Sequence, residues 1–375
     1  MHESRGLGDV YKRQGLASAR LTLAVPLISV FLALVVGAVF LALTGNNPWD
    51  VYAKMADTSF GSSRGISETL ISATPLILTG VAAAVAFKML VWNIGAEGQI
   101  LMGAVFAAGI GIWLGDGTPA AVAMPVVIIA GAIGGAFWAS ISAVPKVYLG
   151  TNEIITTLML NFIALNFMNY LIFGSNSPWR DPLVPQFPSG RPIPDSARIP
   201  EFFNRLDYGF IIAALLAVLA WFLISKTKWG FEVRVVGDSA DTARYAGISV
   251  PRKFLGVFLM SGAFAGLAGS LYVAGPVGAL DPRSLDLGLG FTGIIVAALA
   301  RLNPLAVIPV AILMGALNNA GPALQSIQIP AATVTMLQGA ILIFAVAGEF
   351  FIANRVRRPE KKPAVAPAAE GASAS

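Results

Sequence analysis

Apolar runs of about twenty residues recur along most of the chain, separated by short polar connections. A helix needs about that many apolar residues to cross the hydrocarbon core of a bilayer. The runs predict ten spans, at 21–44, 67–91, 99–115, 119–143, 153–174, 207–225, 253–275, 284–300, 305–325 and 331–353. The pattern is that of an all-α polytopic membrane protein with about ten transmembrane helices.

The connections orient the spans, because Lys and Arg concentrate in cytoplasmic loops. Lys226, Lys228, Arg234, Arg244, Arg252 and Lys253 crowd the 226–252 connection and the start of the next span. Arg355, Arg357, Arg358, Lys361 and Lys362 follow the last span, which an even number of crossings returns to the same side. Counting back from 226 places the N-terminus there too, where Arg20 agrees, and Lys146 and Arg301 fall on the same side. Both termini are therefore expected in the cytoplasm, with 226–252 cytoplasmic and 175–206 extracytoplasmic. The latter carries seven prolines, which resist regular helix, and reads equally as a solvated spacer or a stiff docking surface.

Composition supports a bilayer location. The chain is 56% hydrophobic and 12% charged, about half the charged fraction of soluble domains. Its mean hydropathy is +0.74. Cysteine is absent and the only histidine is His2, so no metal site and no catalytic residue is expected in the membrane body. No nucleic-acid partner is expected. Residues 4–14, SRGLGDVYKRQ, match what a transposase-type sequencing adapter encodes in one open frame. Residues 1–14 are accordingly expected to be an artefact, 15–358 the membrane domain, and 359–375, rich in Ala and Pro, a disordered tail.

Two polar clusters interrupt this background. Residues 91–103, VWNIGAEGQILMG, place Asn93, Gly95, Glu97, Gly98 and Gln99 between apolar runs. The glycines suit a helix break, tolerable in a membrane only against protein or water. The plainer alternative is a cytoplasmic turn at the inner ends of spans two and three, with Glu97 solvated. The second cluster opens span five, where Glu153, Thr157 and Asn161 share one helix face and Asn166 continues the polarity. Capping by Thr151 or Asn152 explains its first residues but not Asn161, so this stripe reads as facing a substrate path. Asn318 and Gln338 are weaker candidates for the same path, with Phe162, Phe167 and Phe291 as apolar walls.

In the cytoplasmic connection, residues 239–245 fit a short helix started by Asp238 or Ser239 and stopped at Gly247. Such an element suits docking onto another protein; a basic loop held by lipid headgroups is the alternative. The chain has no GxxxxGK[ST] loop, so ATP chemistry would belong to a partner.

At NIGAEGQ (93–99), TNEIITTLMLNFIA (151–164) and GDSADTARYAGI (237–248) the sequence resembles the permease subunits of bacterial ABC importers for nucleosides and simple sugars. That group is related to the branched-chain amino acid permeases. The resemblance spans about Leu21 to Arg358 and implies a multi-pass protein of the inner membrane. It further implies a second permease as heterodimer partner, a cytoplasmic ATPase carrying ATP and Mg, and an extracytoplasmic substrate-binding lipoprotein. Residues 238–248 would then lie in a groove of the ATPase, with Arg244 and Gly247 at matching positions and Asp238, Ala243 and Tyr245 in the same coupling set. An ion-coupled secondary transporter using Glu97 and Glu153, or a branched-chain amino acid importer, stays open at this point.

Overall fold

The computed structural model describes residues 19–174, 177–184, 188–285 and 287–353. The expected adapter stretch 1–14 and the tail 359–375 lie outside them. Among the described residues the chain is mainly helical, in the order α1 (Ala19–Leu43), α2 (Pro48–Phe60), α3 (Ser63–Phe87), α4 (Ala96–Leu114), α5 (Ala120–Leu149) and α6 (Glu153–Phe173). After an irregular loop and a small hairpin come α7 (Gly209–Lys226), α8 (Lys228–Asp238), α9 (Ala240–Tyr245) and α10 (Val250–Tyr272). The last elements are α11 (Pro282–Leu285), α12 (Leu289–Leu299), α13 (Pro304–Gln325) and α14 (Ala332–Ala353). Among the described residues, nine segments are long and apolar enough to cross a membrane, and 332–348 is a shorter apolar helix. Each of the ten expected spans therefore has a helical counterpart.

Burial sorts these helices. In α3, 83% of the apolar window is buried, against 22% in α1 and α6, so α3 is the central post and the others present wide apolar surfaces outward. Without a hydrophobic drive between helices in lipid, packing depends on close approach through small residues. Here α4, α5 and α10 meet at Gly266. A Cβ on Gly135 would strike the Gly262 carbonyl and the Gly266 backbone, and one on Gly103 would strike Gly266 as well.

Two helices depart from the sequence expectation. α2, capped by Asn47 and started by Pro48, buries only Val51, Met55 and Ser59 along one face. α8, capped by Thr227, buries Gly230, Val233 and Val236. Both are amphipathic and too polar to register as spans. The described parts of the loop, 177–184 and 188–207, are also more structured than their prolines suggest. β1 (Glu201–Phe203) pairs antiparallel with β2 (Leu206–Asp207), and Pro192 bridges to Ala279. The Ile193 and Ile199 N–H groups donate to Gly278 O and Ala274 O, stitching this loop to the segment that follows α10. Asp207 is buried there, accepts from the Gly209 N–H at 2.7 Å, and is pushed up to about 6, chiefly by its burial.

Candidate functional site: a polar knot between broken helices

The chain does not run from α3 into α4 by a surface turn. α3 closes with the Val91 N–H donating back to Ala86 O, and Leu90 takes a left-handed φ of 56°. That closure satisfies the last carbonyls of α3 at a local conformational cost of about 1–2 kcal/mol for a non-glycine residue. The chain then extends through 91–94, and α4 begins at Ala96.

Every polar side chain of the break has a partner inside the protein. Asn93 Nδ2 donates to Gln99 Oε1 (3.0 Å) and to Ser261 Oγ (2.9 Å). Its Oδ1 accepts from Gln99 Nε2 and from the Gly95 N–H, each at 3.0 Å. Ser261 passes the network to α3 by donating to Ala82 O at 2.8 Å. From α6, Asn161 accepts the Gly98 N–H (2.8 Å) and donates to Ile94 O (2.9 Å). Because Ser261 lies mid-way along α10 and Asn161 more than two turns into α6, the break sits within the helical layer. The solvated-turn alternative does not hold: Asn93, Glu97 and Gln99 are all buried.

Glu97 completes the knot. It stands in the first turn of α4, yet its carboxylate accepts the N–H groups of Gly288 (3.1 Å) and Gly290 (2.6 Å) at the start of α12. A helix start leaves its first N–H groups without internal partners and favours negative charge nearby. One carboxylate thus serves two helix starts. The approach requires glycine, since a Cβ on Gly290 would fall on the backbone of Ala96 and Glu97. Likewise a Cβ on Gly98 would sit 3.0 Å from both Asn161 Oδ1 and Trp138 Nε1. Gly288, Gly290 and Ser261 were not singled out in the sequence; the glycine pair opening a short apolar run was the available signal.

The six path candidates do not share one surface. Thr157 and Asn161 belong to the knot, Thr157 packing against Gly95 while its hydroxyl donates to Glu153 O at 2.6 Å. Glu153 pairs with Lys146 at 2.6 Å. Asn318 accepts from Gln338 Nε2 at 2.7 Å, tying α13 to α14. Only Asn166 is exposed on the flank of α6, its Nδ2 donating within the helix to Phe162 O. Phe162 and Phe291 are also exposed. Beside Asn166, Phe167 lines an apolar recess of about 500 Å³ with Phe106, Phe137, Trp138 and Trp179.

The α8–α9 module is a second, different site. Ser239, rather than Asp238, caps α9 by accepting the Thr242 N–H at 3.2 Å; Asp238 is the last residue of α8. Ala243 is fully buried and anchors α9, while Arg244 pairs with Asp241 at 2.7 Å and Tyr245 is 95% exposed. Gly247 ends the turn with φ 76°. Behind it, Lys253 pairs with Glu232 and lies over Trp229, and that hydrogen bond holds the Glu232 carboxyl below its ordinary value. Lys88, where α8 meets the end of α3, is lowered by burial first and then by Arg234 and Arg301.

Residues 65–346 match the family described as branched-chain amino acid transport system, permease component. The chain belongs to this family. It is thus a multi-pass membrane permease, a transport subunit and not an enzyme. It is 35% identical to a guanosine ABC transporter permease protein of Bacillus subtilis, over 91% of this chain and 98% of the relative. It is 34% identical to a glucose ABC transporter permease protein of Haloferax volcanii, over 90% of each. A nucleoside ABC transporter permease protein of Lactococcus lactis is 33% identical, over 88% of the permease and 91% of the relative. No solved structure matches.

Proposed function

We propose that this permease is the transmembrane subunit of an ATP-driven importer that moves nucleosides or simple sugars by alternating access. The near full-length likeness to guanosine, nucleoside and glucose ABC permeases carries the reading. A separate cytoplasmic ATPase supplies ATP and Mg, an extracytoplasmic lipoprotein delivers substrate, and a second permease completes the membrane part. A further guanosine permease from the same Bacillus, 29% identical over 67% of this chain, fits such a pairing of two permeases.

The site geometry supports these assignments. On the positive-inside count α9 faces the cytoplasm, and its exposed Arg244 and Tyr245 around a buried Ala243 make a compact knob for a groove in the ATPase. On α6, Asn166 lies two-thirds of the way along an apolar helix, exposed, with its amide N–H bonded back to Phe162 O and its amide oxygen given no partner by that bond. An amide facing lipid is costly, so this flank faces the second permease and the substrate path between the two. Ion coupling finds less support, because Glu97 is held by backbone N–H groups and Glu153 by Lys146.

The test is reconstitution of the permease pair with its ATPase and binding lipoprotein, followed by ATP-dependent uptake of labelled guanosine, adenosine, glucose and leucine. Uptake of a nucleoside or sugar is expected, with Asn166→Leu lowering the rate in a complex of unchanged composition. Uptake of leucine alone, or uptake driven by an ion gradient without ATP, would overturn the reading.

A further inference from the structure

The 88–97 segment is gripped from two sides. At one end Gly237, the penultimate residue of α8, packs so closely that a Cβ there would fall on the Lys88 carbonyl. At the other, Glu97 holds the Gly288 and Gly290 N–H groups of α12. Between these grips the chain is held by Asn93 and Asn161 and has no helical hydrogen-bond ladder of its own.

α12 is a short helix set off by turned ends. It has eleven residues, starts after Gly288 at φ 66°, and is followed by Arg301 and Leu302 at φ 51° and 57°. Left-handed residues at both ends turn the chain sharply instead of extending the helix. It lies on α3 through small residues, Gly293 against Thr79 and Gly80 against Val296. Hinges in switching proteins are a few element-terminal residues that absorb large φ/ψ changes, and these left-handed residues stand at such positions.

We propose that Glu97 is the positioning residue that couples α8–α9 to α12. This rests on the reading of α9 as the ATPase-docking helix. Displacement of α8 by the ATPase reaches Lys88 and Met89 through Gly237 and shifts the break. The carboxylate then withdraws from Gly288 and Gly290. Water entering the opened path takes over the two freed N–H groups, so α12 is released without a buried unsatisfied donor. When α8 returns, the carboxylate recaptures the helix start.

Two measurements on the assembled complex test this. Hydrogen exchange over 288–296 is compared without nucleotide and with a non-hydrolysable ATP analogue. Exchange in wild type is expected to speed up at least about tenfold with nucleotide; equal protection in both states overturns the proposal. In the second, Glu97→Gln turns one acceptor oxygen into a donor facing α12. The variant is expected to bind the ATPase and hydrolyse ATP, yet lose about tenfold in substrate-stimulated uptake, with Glu97→Asp recovering part of it. Wild-type uptake by the Gln variant overturns the coupling role. A wild-type permease that recruits no ATPase would instead sink the docking reading on which the proposal stands.

Discussion

The knot around 93–99 and the α8–α9 module are both polar islands in an apolar protein, but they close differently. In the knot, Asn93, Gln99, Asn161 and Glu97 spend their hydrogen bonds on one another, on Ser261 and on buried backbone of neighbouring helices. In α9, Asp241 and Arg244 pair in solvent and Tyr245 touches almost nothing. Polarity closed on itself fixes where helices begin, whereas polarity left open awaits a second molecule. Substitutions that overpack the knot or strip it of a hydrogen-bonding group, unlike the isosteric Glu97→Gln, should therefore damage stability in the first region, and substitutions in the second should damage association.

The largest break in that contrast is expected from Gly290→Val, which drives a branched side chain into the Ala96–Glu97 backbone. Overpacking typically costs about 1–3 kcal/mol and occasionally more, and a clash with backbone belongs at the upper end, so detergent-solubilised protein should show a collapsed melting transition or no folded yield. Asn161→Leu comes next. It strands the Gly98 N–H and the Ile94 carbonyl, at about 1–3 kcal/mol for each unsatisfied group. Its thermal midpoint should fall clearly while the protein still folds.

Tyr245→Ala should show the opposite signature. The melting curve should stay within about 0.5 kcal/mol of wild type, while affinity for the ATPase, read by pull-down or interferometry, drops about tenfold or more. Equal loss of stability and association would erase the distinction between the two regions.

Asp207 gives the most diagnostic effect, because its carboxyl is buried with one N–H donor among the described residues, that of Gly209. Its folded-state value of about 6 lies above that of an open carboxyl. Its contribution to stability is therefore present in full below about pH 4 and is lost as pH rises through about 6. Asp207→Asn should flatten the dependence of the thermal midpoint across that window and raise it at pH 7.

The spans were legible because twenty apolar residues in a row have few other uses. α2 and α8 were not, since thirteen- and eleven-residue helices with one buried face look like polar connections in a hydropathy reading. The break was legible as a polar, glycine-bearing interruption, and the end of α9 at Gly247 as a left-handed stop. What the sequence split into two clusters, the fold joins: Asn161 reaches Gly98 across 63 residues, and no local spacing announces that contact. The same limit hid Gly288 and Gly290, whose service is to offer bare amides to a carboxylate almost two hundred residues earlier in the chain.

The meeting of α4, α5 and α10 at Gly266 has a mechanical consequence. Backbone touches backbone there, with no side chain left to change rotamer or slide. These three helices form a stiff strut, intolerant of any residue larger than glycine at 103, 135 or 266. A saturation library should leave those codons unchanged while the lipid-facing flanks of α1 and α7 drift freely. The strut gives the bundle one wall whose shape is set by backbone alone.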